Sequence, residues 1–359
     1  MLCGSRTEGD DHCARPDGTG ATAMRLYGTT TRRAAIRSIL GASLAALLLV
    51  LASCGGSSGD GGSASEPTAE AETGESSGST AATTKSDEPL DVDVITETFV
   101  DTSRPTPTGS ETPARPDRTV VTRIAHPTSG GPYPLLVLSH GLTGHPDEYE
   151  ETIPKWAADG FVVASPLFPS TNRDVPGAWD NAADVVNQPG DVSFVIDEVL
   201  AATEDPASPL HGVVDPEAIG VVGHSLGGAT TWAVSFNTAT RDERIDSTVV
   251  FAGLTIPMPE GDFDFDSGLP LLVLHGDADD LPLDMDLAAY AQASSPKWFI
   301  TLLGAEHRLA LTDEPSPYDK LVTTTLLDFW HGTLDGDDEA LERVTADATD
   351  PELSRVLHE

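Results

Sequence analysis

The sequence predicts an α/β domain built on a mostly parallel sheet of eight strands flanked by helices. Three observations carry that expectation. Short apolar runs lack the polar alternation of a half-exposed strand, as strands buried on both faces do. Segments of helical length separate most of them, the order that gives parallel pairing. A single pentapeptide, Gly223 His224 Ser225 Leu226 Gly227, sits between an apolar run and a helical segment, where a tight strand-to-helix turn belongs.

The strands are expected at residues 93–100, 120–125, 135–139, 161–165, 219–222, 247–251, 271–275 and 298–302. Asp215 and Pro216 are turn residues that bound the fifth run upstream. Helices are expected at 147–159, 190–203, 226–237, 283–294 and 318–330, with two short terminal ones at 337–344 and 351–357. The Gly-X-Ser-X-Gly pattern also occurs at Gly55 to Gly59 and at Gly74 to Gly78. Those two lie in a Gly, Ser, Thr, Ala and Glu tract without apolar period, so only Ser225 has the context of a nucleophile.

The first 53 residues read as an export signal and are set apart from fold reasoning. Arg32, Arg33 and Arg37 form a basic region, residues 39–51 an apolar run, and Leu51 Ala52 Ser53 Cys54 closes it; Met24 is an alternative start. The segment resembles a bacterial lipoprotein signal. That resemblance implies lipidation of Cys54 and an extracytoplasmic protein anchored in the bacterial cell membrane. Thr31 Arg32 Arg33 with Ile36 and Arg37 is also similar to a twin-arginine signal, but Ala35 stands where that motif takes a bulky apolar residue. Both export routes stay open. Residues 54–90 contain no aromatic side chain and read as a tether without a core, leaving 91–359 as the folded domain.

Cys3, Cys13 and Cys54 are the only cysteines, so the domain has no disulfide or thiolate chemistry. Removing residues 1–53 takes away six basic and four acidic side chains and leaves 14 basic against 54 acidic, a net charge of −40. Such a surface repels nucleic acid. Neither a His-Glu-X-X-His pair nor another close ligand set is present, so no metal and no cofactor are expected.

A serine hydroxyl attacks a carbonyl only when a base can take its proton and a third group orients that base. The acid candidates are Asp277, Asp279 and Asp280 after the run 271–275, and the base candidate is His307 after the last run. The developing oxyanion needs backbone N–H donors. Leu226 N–H, at the positive end of the helix after Ser225, is one. The other belongs to the loop His140 Gly141 Leu142 Thr143 Gly144, where His140 reads as a structural residue and His145 as a candidate neighbour of substrate.

With serine, acid and histidine in that chain order, the sequence resembles the α/β-hydrolases of the dienelactone hydrolase and platelet-activating-factor acetylhydrolase-like group, with chlorophyllase- and cutinase-like relatives. The resemblance spans residues 92–357 and includes the segments 99–105, 189–200 and 327–330. It selects Asp279 within His275 Gly276 Asp277 Ala278 Asp279, His307 within Gly304 Ala305 Glu306 His307, and Leu142 N–H as the second oxyanion donor. It implies an α/β-hydrolase fold and hydrolysis of a carboxylic ester through an acyl-enzyme, without a cofactor; small or medium acyl esters are the expected substrates. Polyester or lipid hydrolysis, and a ligand-binding lipoprotein on a silent hydrolase fold, are the competing readings. Leu142, Phe168, Trp179 and the segment 254–265 are candidates to line the acyl pocket, with Trp179 preferred. Phe263 and Phe265 suit an extra edge strand or a lid.

Overall fold

The computed structural model describes residues 88–308 and 312–359. The signal-like segment with Met24, the lipidation candidate Cys54 and the tether up to residue 87 lie outside the described residues. Among the described residues the strands are β1 (Val92–Asp101), β2 (Arg118–Pro127), β3 (Tyr133–Ser139), β4 (Val162–Leu167), β5 (Val214–His224), β6 (Ser247–Phe251), β7 (Leu271–Gly276), β8 (Lys297–Leu302) and β9 (Ser354–His358). The helices are α1 (Thr152–Ala158), α2 (Gln188–Glu204), α3 (Leu226–Phe236), α4 (Leu283–Tyr290), α5 (Asp319–Leu334) and α6 (Asp338–Asp347). One sheet runs β1-β2-β4-β3-β5-β6-β7-β8-β9, parallel from β4 to β8 and antiparallel at the β1-β2, β2-β4 and β8-β9 pairings. This is the α/β-hydrolase architecture.

Alternate residues of the central strands enter two different cores. Leu136 and Leu138 pack with Trp156, Phe329 and Trp330 on one face, while Leu135 and Val137 pack with Val192, Val195 and Val199 of α2 on the other. Burial on both faces is why these strands read as unbroken apolar runs.

The sheet departs from the eight strands expected because the segment 351–357, expected as a helix, instead enters β9 from Ser354 onward. Trp298 pairs with His358 and Leu302 with Ser354, and the Trp298 and His358 rings stack at 4.4 Å. Unpaired N–H and C=O groups along the edge of β8 would otherwise face solvent, and pairing satisfies them. The helix expected at 147–159 is also divided, into a 3-10 turn (Pro146–Tyr149) and α1. Pro154 lacks the N–H that would bond the Glu150 carbonyl, and its ring crowds that carbonyl, so the α-helix cannot continue upstream.

Asp215 and Pro216 lie inside β5 rather than before it. Pro134 pairs with Asp215 and Leu135 with Ile219, so the residues between them bulge out of the ladder. A bulge accommodates the missing proline donor. A further 3-10 helix, Ala178–Asn187, was not foreseen from the Pro176 Gly177 Ala178 Trp179 loop.

Two segments distant in sequence meet in a buried ion cluster. Arg118 is fully buried and donates to Asp184 and to Asp191 at 2.5–3.1 Å, while Arg104 reaches Asp101 at 2.6 Å and Asp191 at 3.0 Å. Arg104 also donates to the Asn187 and Gly190 carbonyls at the start of α2. The residues 99–105 are thereby fixed against α2, which packs on α3 behind the nucleophile candidate.

Candidate active site

Parallel strands place all their C-terminal ends on one edge of the sheet, and loops following β3, β5, β7 and β8 converge there. Ser225 follows β5 directly, with φ 58° and ψ −117°, and α3 begins at the next residue. A non-glycine residue holds such a backbone only when its surroundings impose it. Here Ser225 N–H donates to the Phe251 carbonyl at 2.9 Å, and the flanking glycines permit the turn. A Cβ on Gly223 would strike the Gly227 carbonyl and the Thr231 hydroxyl, and one on Gly227 would strike the Ser139 and His140 carbonyls.

Three sequence candidates come together at this turn. His307 Nε2 lies 2.8 Å from Ser225 Oγ, and His307 Nδ1 lies 2.7 Å from Asp279 Oδ2. The carboxylate can only accept, so Nδ1 carries the proton and Nε2 accepts from the serine hydroxyl. The Asp279 side chain is 1% exposed. Burial by itself would raise its carboxyl, but the hydrogen bonds it accepts, from His307 first and then from Leu281 N–H, together with His275 beside it, outweigh burial and hold it below the ordinary aspartate value. Leu281 N–H donates to Asp279 Oδ1 at 2.7 Å.

The rival acids are elsewhere. Asp277 is exposed and accepts from Gly304 N–H at 2.6 Å, which stitches the loop after β7 to the loop carrying His307. Ala278 N–H donates to the Ala305 carbonyl at 3.1 Å in the same seam, and Asp280 is exposed.

His224 was not singled out in the sequence beyond its place in the pentapeptide. Its Nε2–H donates to the His307 carbonyl at 2.7 Å, tying the histidine loop to the end of β5. Burial, followed by the proximity of His307, pushes His224 down to about 3, so it is neutral and free to donate.

The loop after β3 lies against the elbow. A Cβ on Gly141 would come 3.2 Å from Ser225 Cβ, a separation that leaves Gly141 as the residue able to bring this backbone so close. Leu142, half-buried, follows it in a turn in which Gly144 N–H donates to the Gly141 carbonyl at 2.8 Å and Thr143 takes φ 59°. Leu226 N–H opens α3 on the other side of Ser225.

His140 holds this loop. Its Nε2 accepts from Phe168 N–H at 3.1 Å, so its proton is on Nδ1, which donates to the Gly141 carbonyl at 2.8 Å. Burial pushes His140 down to about 4, which keeps it in that neutral form. His145 caps the following 3-10 turn by accepting from Asp147 N–H at 3.1 Å.

The pocket candidates divide. Phe168 is wholly buried against His140, with ring centroids 5.0 Å apart. Trp179 is 43% exposed, on a turn tied to residue 110 through Ser110 N–H and Asn181 Oδ1 at 2.7 Å. Leu254, Ile256 and Met258 are buried. Phe263 forms a single bridge with Asn237, and Phe265 packs edge-on against Trp232 of α3 at 5.7 Å. No group of His, Cys, Asp and Glu among the described residues is arranged to hold a metal ion.

Sheet order and elbow define the chain as an α/β-hydrolase. Comparison with protein-family models sharpens the class: the model described as Chlorophyllase matches residues 94–255, from β1 past β6. The match takes in Ser225 and stops short of Asp279 and His307. No curated protein matches the chain. The fold and the family match make this a hydrolase of the kind that acts on esters.

Proposed function

We propose that the protein is a serine carboxylic-ester hydrolase in which Ser225 is the nucleophile, His307 the general base and Asp279 the residue that orients it. The observation that carries this reading is the unbroken hydrogen-bonded chain from Asp279 through His307 to Ser225, at 2.7 and 2.8 Å. Ser225 Oγ attacks the ester carbonyl while its proton passes to His307 Nε2, and Asp279 stabilises the imidazolium that results. Leu142 and Leu226 N–H receive the oxyanion. Collapse of the tetrahedral intermediate breaks the ester C–O bond, and His307 returns the proton to the departing alcohol. Water, deprotonated by the same imidazole, then cleaves the acyl-serine.

A fluorophosphonate probe should label the wild-type chain on Ser225 and leave Ser225→Ala unlabelled. Equal labelling of both would remove Ser225 from the mechanism.

The same proposal includes a lipid anchor at Cys54, supported by the basic and apolar residues before it, and small soluble esters as substrates reached outside the cytoplasm. Trp179 is its acyl-pocket contact, supported by its exposure. Cys54→Ser expressed in a bacterial host should move the protein from the membrane fraction to the soluble one; retention in the membrane would argue against the anchor.

A further inference from the structure

Behind the hydrogen-bonded chain stands a second histidine–carboxylate pair. His275, at the end of β7, is 1% exposed, and its Nδ1 lies 2.7 Å from Oδ2 of Asp286, a fully buried residue of α4. The other ring nitrogen, Nε2, lies 3.5 Å from Asp279 Oδ2, the oxygen that His307 also contacts. Nδ1 thus hydrogen-bonds one carboxyl group and Nε2 stands within ion-pair distance of another, an arrangement that favours a proton on each nitrogen. Burial alone would lower His275, yet Asp286 and then Asp279 raise it overall, in agreement with that geometry. Nε2 has no hydrogen-bond partner, and His275 borders a cavity of about 20 Å³ together with His224, Asp279, Glu306 and His307.

A charge problem gives this pair a task. His307 must be neutral at rest to accept the serine proton, so it offers Asp279 a hydrogen bond but no formal positive charge. A desolvated carboxylate without a counter-charge tends to take up a proton. Around Asp279 the charged and titratable groups are His307, His275 with Asp286 behind it, and His224 and Glu306 on the shared cavity. His224, held neutral, supplies no cation.

We propose that the buried His275–Asp286 pair supplies the positive charge that keeps Asp279 ionised and aimed at His307 in the resting enzyme, which makes His275 a positioning residue. The proposal rests on the serine mechanism above. His275 takes no part in proton transfer and touches no reacting atom. Asp286 in turn holds the His275 ring through Nδ1 at 2.7 Å; burial raises the Asp286 carboxyl above the ordinary aspartate value, and the hydrogen bond and charge of His275 oppose that rise.

Replacing His275 alone would strand the Asp286 charge, so the informative variant is His275→Gln with Asp286→Asn, which removes both charges together. Losing the nearby positive charge favours protonation of both Asp279 and His307. The acid limb of the kcat–pH profile should then move upward by about half to one pH unit, which lowers kcat about 3- to 10-fold at pH values below that limb, with little change in KM. Titration of His307 by NMR in the full-length chain should shift the same way. Should the double variant not fold, Asp286→Asn alone weakens protonation of His275 and should give a smaller shift of the same sign.

Superimposable pH profiles and His307 titrations in folded wild type and variant would overturn the proposal. The two readings fail separately: Ser225→Ala that retains activity removes the serine mechanism, whereas the NMR titration judges the His275 charge without reference to turnover.

Discussion

His307→Ala should lower kcat for a soluble aryl ester by about 10⁶-fold, with KM changed far less. That size is expected because the members of a serine triad act as a unit, so removing the base costs nearly as much as removing nucleophile and base together. In this chain the dependence is direct. His307 Nε2 is placed 2.8 Å from Ser225 Oγ, and the neighbouring imidazole of His224 is committed to the His307 carbonyl. His224 is held down at about 3, mainly by burial, so it is also a poor base in its own right. The backbone donors proposed at Leu142 and Leu226 survive the substitution and should leave a residual rate about 10³- to 10⁴-fold above water. Steady-state kinetics on purified, folded variant decides the matter. A loss below 100-fold would mean that another group takes the serine proton.

The sheet and the elbow were legible in the sequence because each leaves a local trace. Strands buried on both faces show as apolar runs, and the turn at Ser225 demands small neighbours that a reader can see at Gly223 and Gly227. The chain order of Ser225, Asp279 and His307 placed the three on loops at one end of the sheet, since parallel strands leave no other edge for them. What escaped notice depends on contacts between elements. The His275–Asp286 pair joins the end of β7 to α4, and neither residue belongs to a periodic pattern that points at the other. His224 reaches across to the His307 carbonyl, 83 residues on, a bond no local spacing announces. β9 differs from the expected helix for a related reason: the apolar residues at 353, 356 and 357 also suit one face of a helix, and only the open edge of β8 selects the strand.

Asp279→Asn should lower kcat by about 10⁴-fold, the loss expected when the orienting acid of a serine triad becomes an amide. The substitution is nearly isosteric, and the asparagine oxygen can still accept from Leu281 N–H, so the loop has reason to keep its shape. What changes is the proton on His307. An amide N–H facing Nδ1 makes that nitrogen an acceptor and moves the ring proton to Nε2, where it confronts the Ser225 hydroxyl and can no longer receive its proton. Asp277→Asn and Asp280→Asn provide the contrast. Asp277 accepts from Gly304 N–H through an oxygen that asparagine retains, and Asp280 is exposed, so each should stay within about 10-fold of wild type. Equal stability of the three variants by thermal melt, with only Asp279→Asn losing turnover, would separate the orienting acid from its neighbours in a turn that the sequence alone leaves threefold ambiguous. A deep loss in Asp277→Asn or Asp280→Asn beside an active Asp279→Asn would reassign the acid.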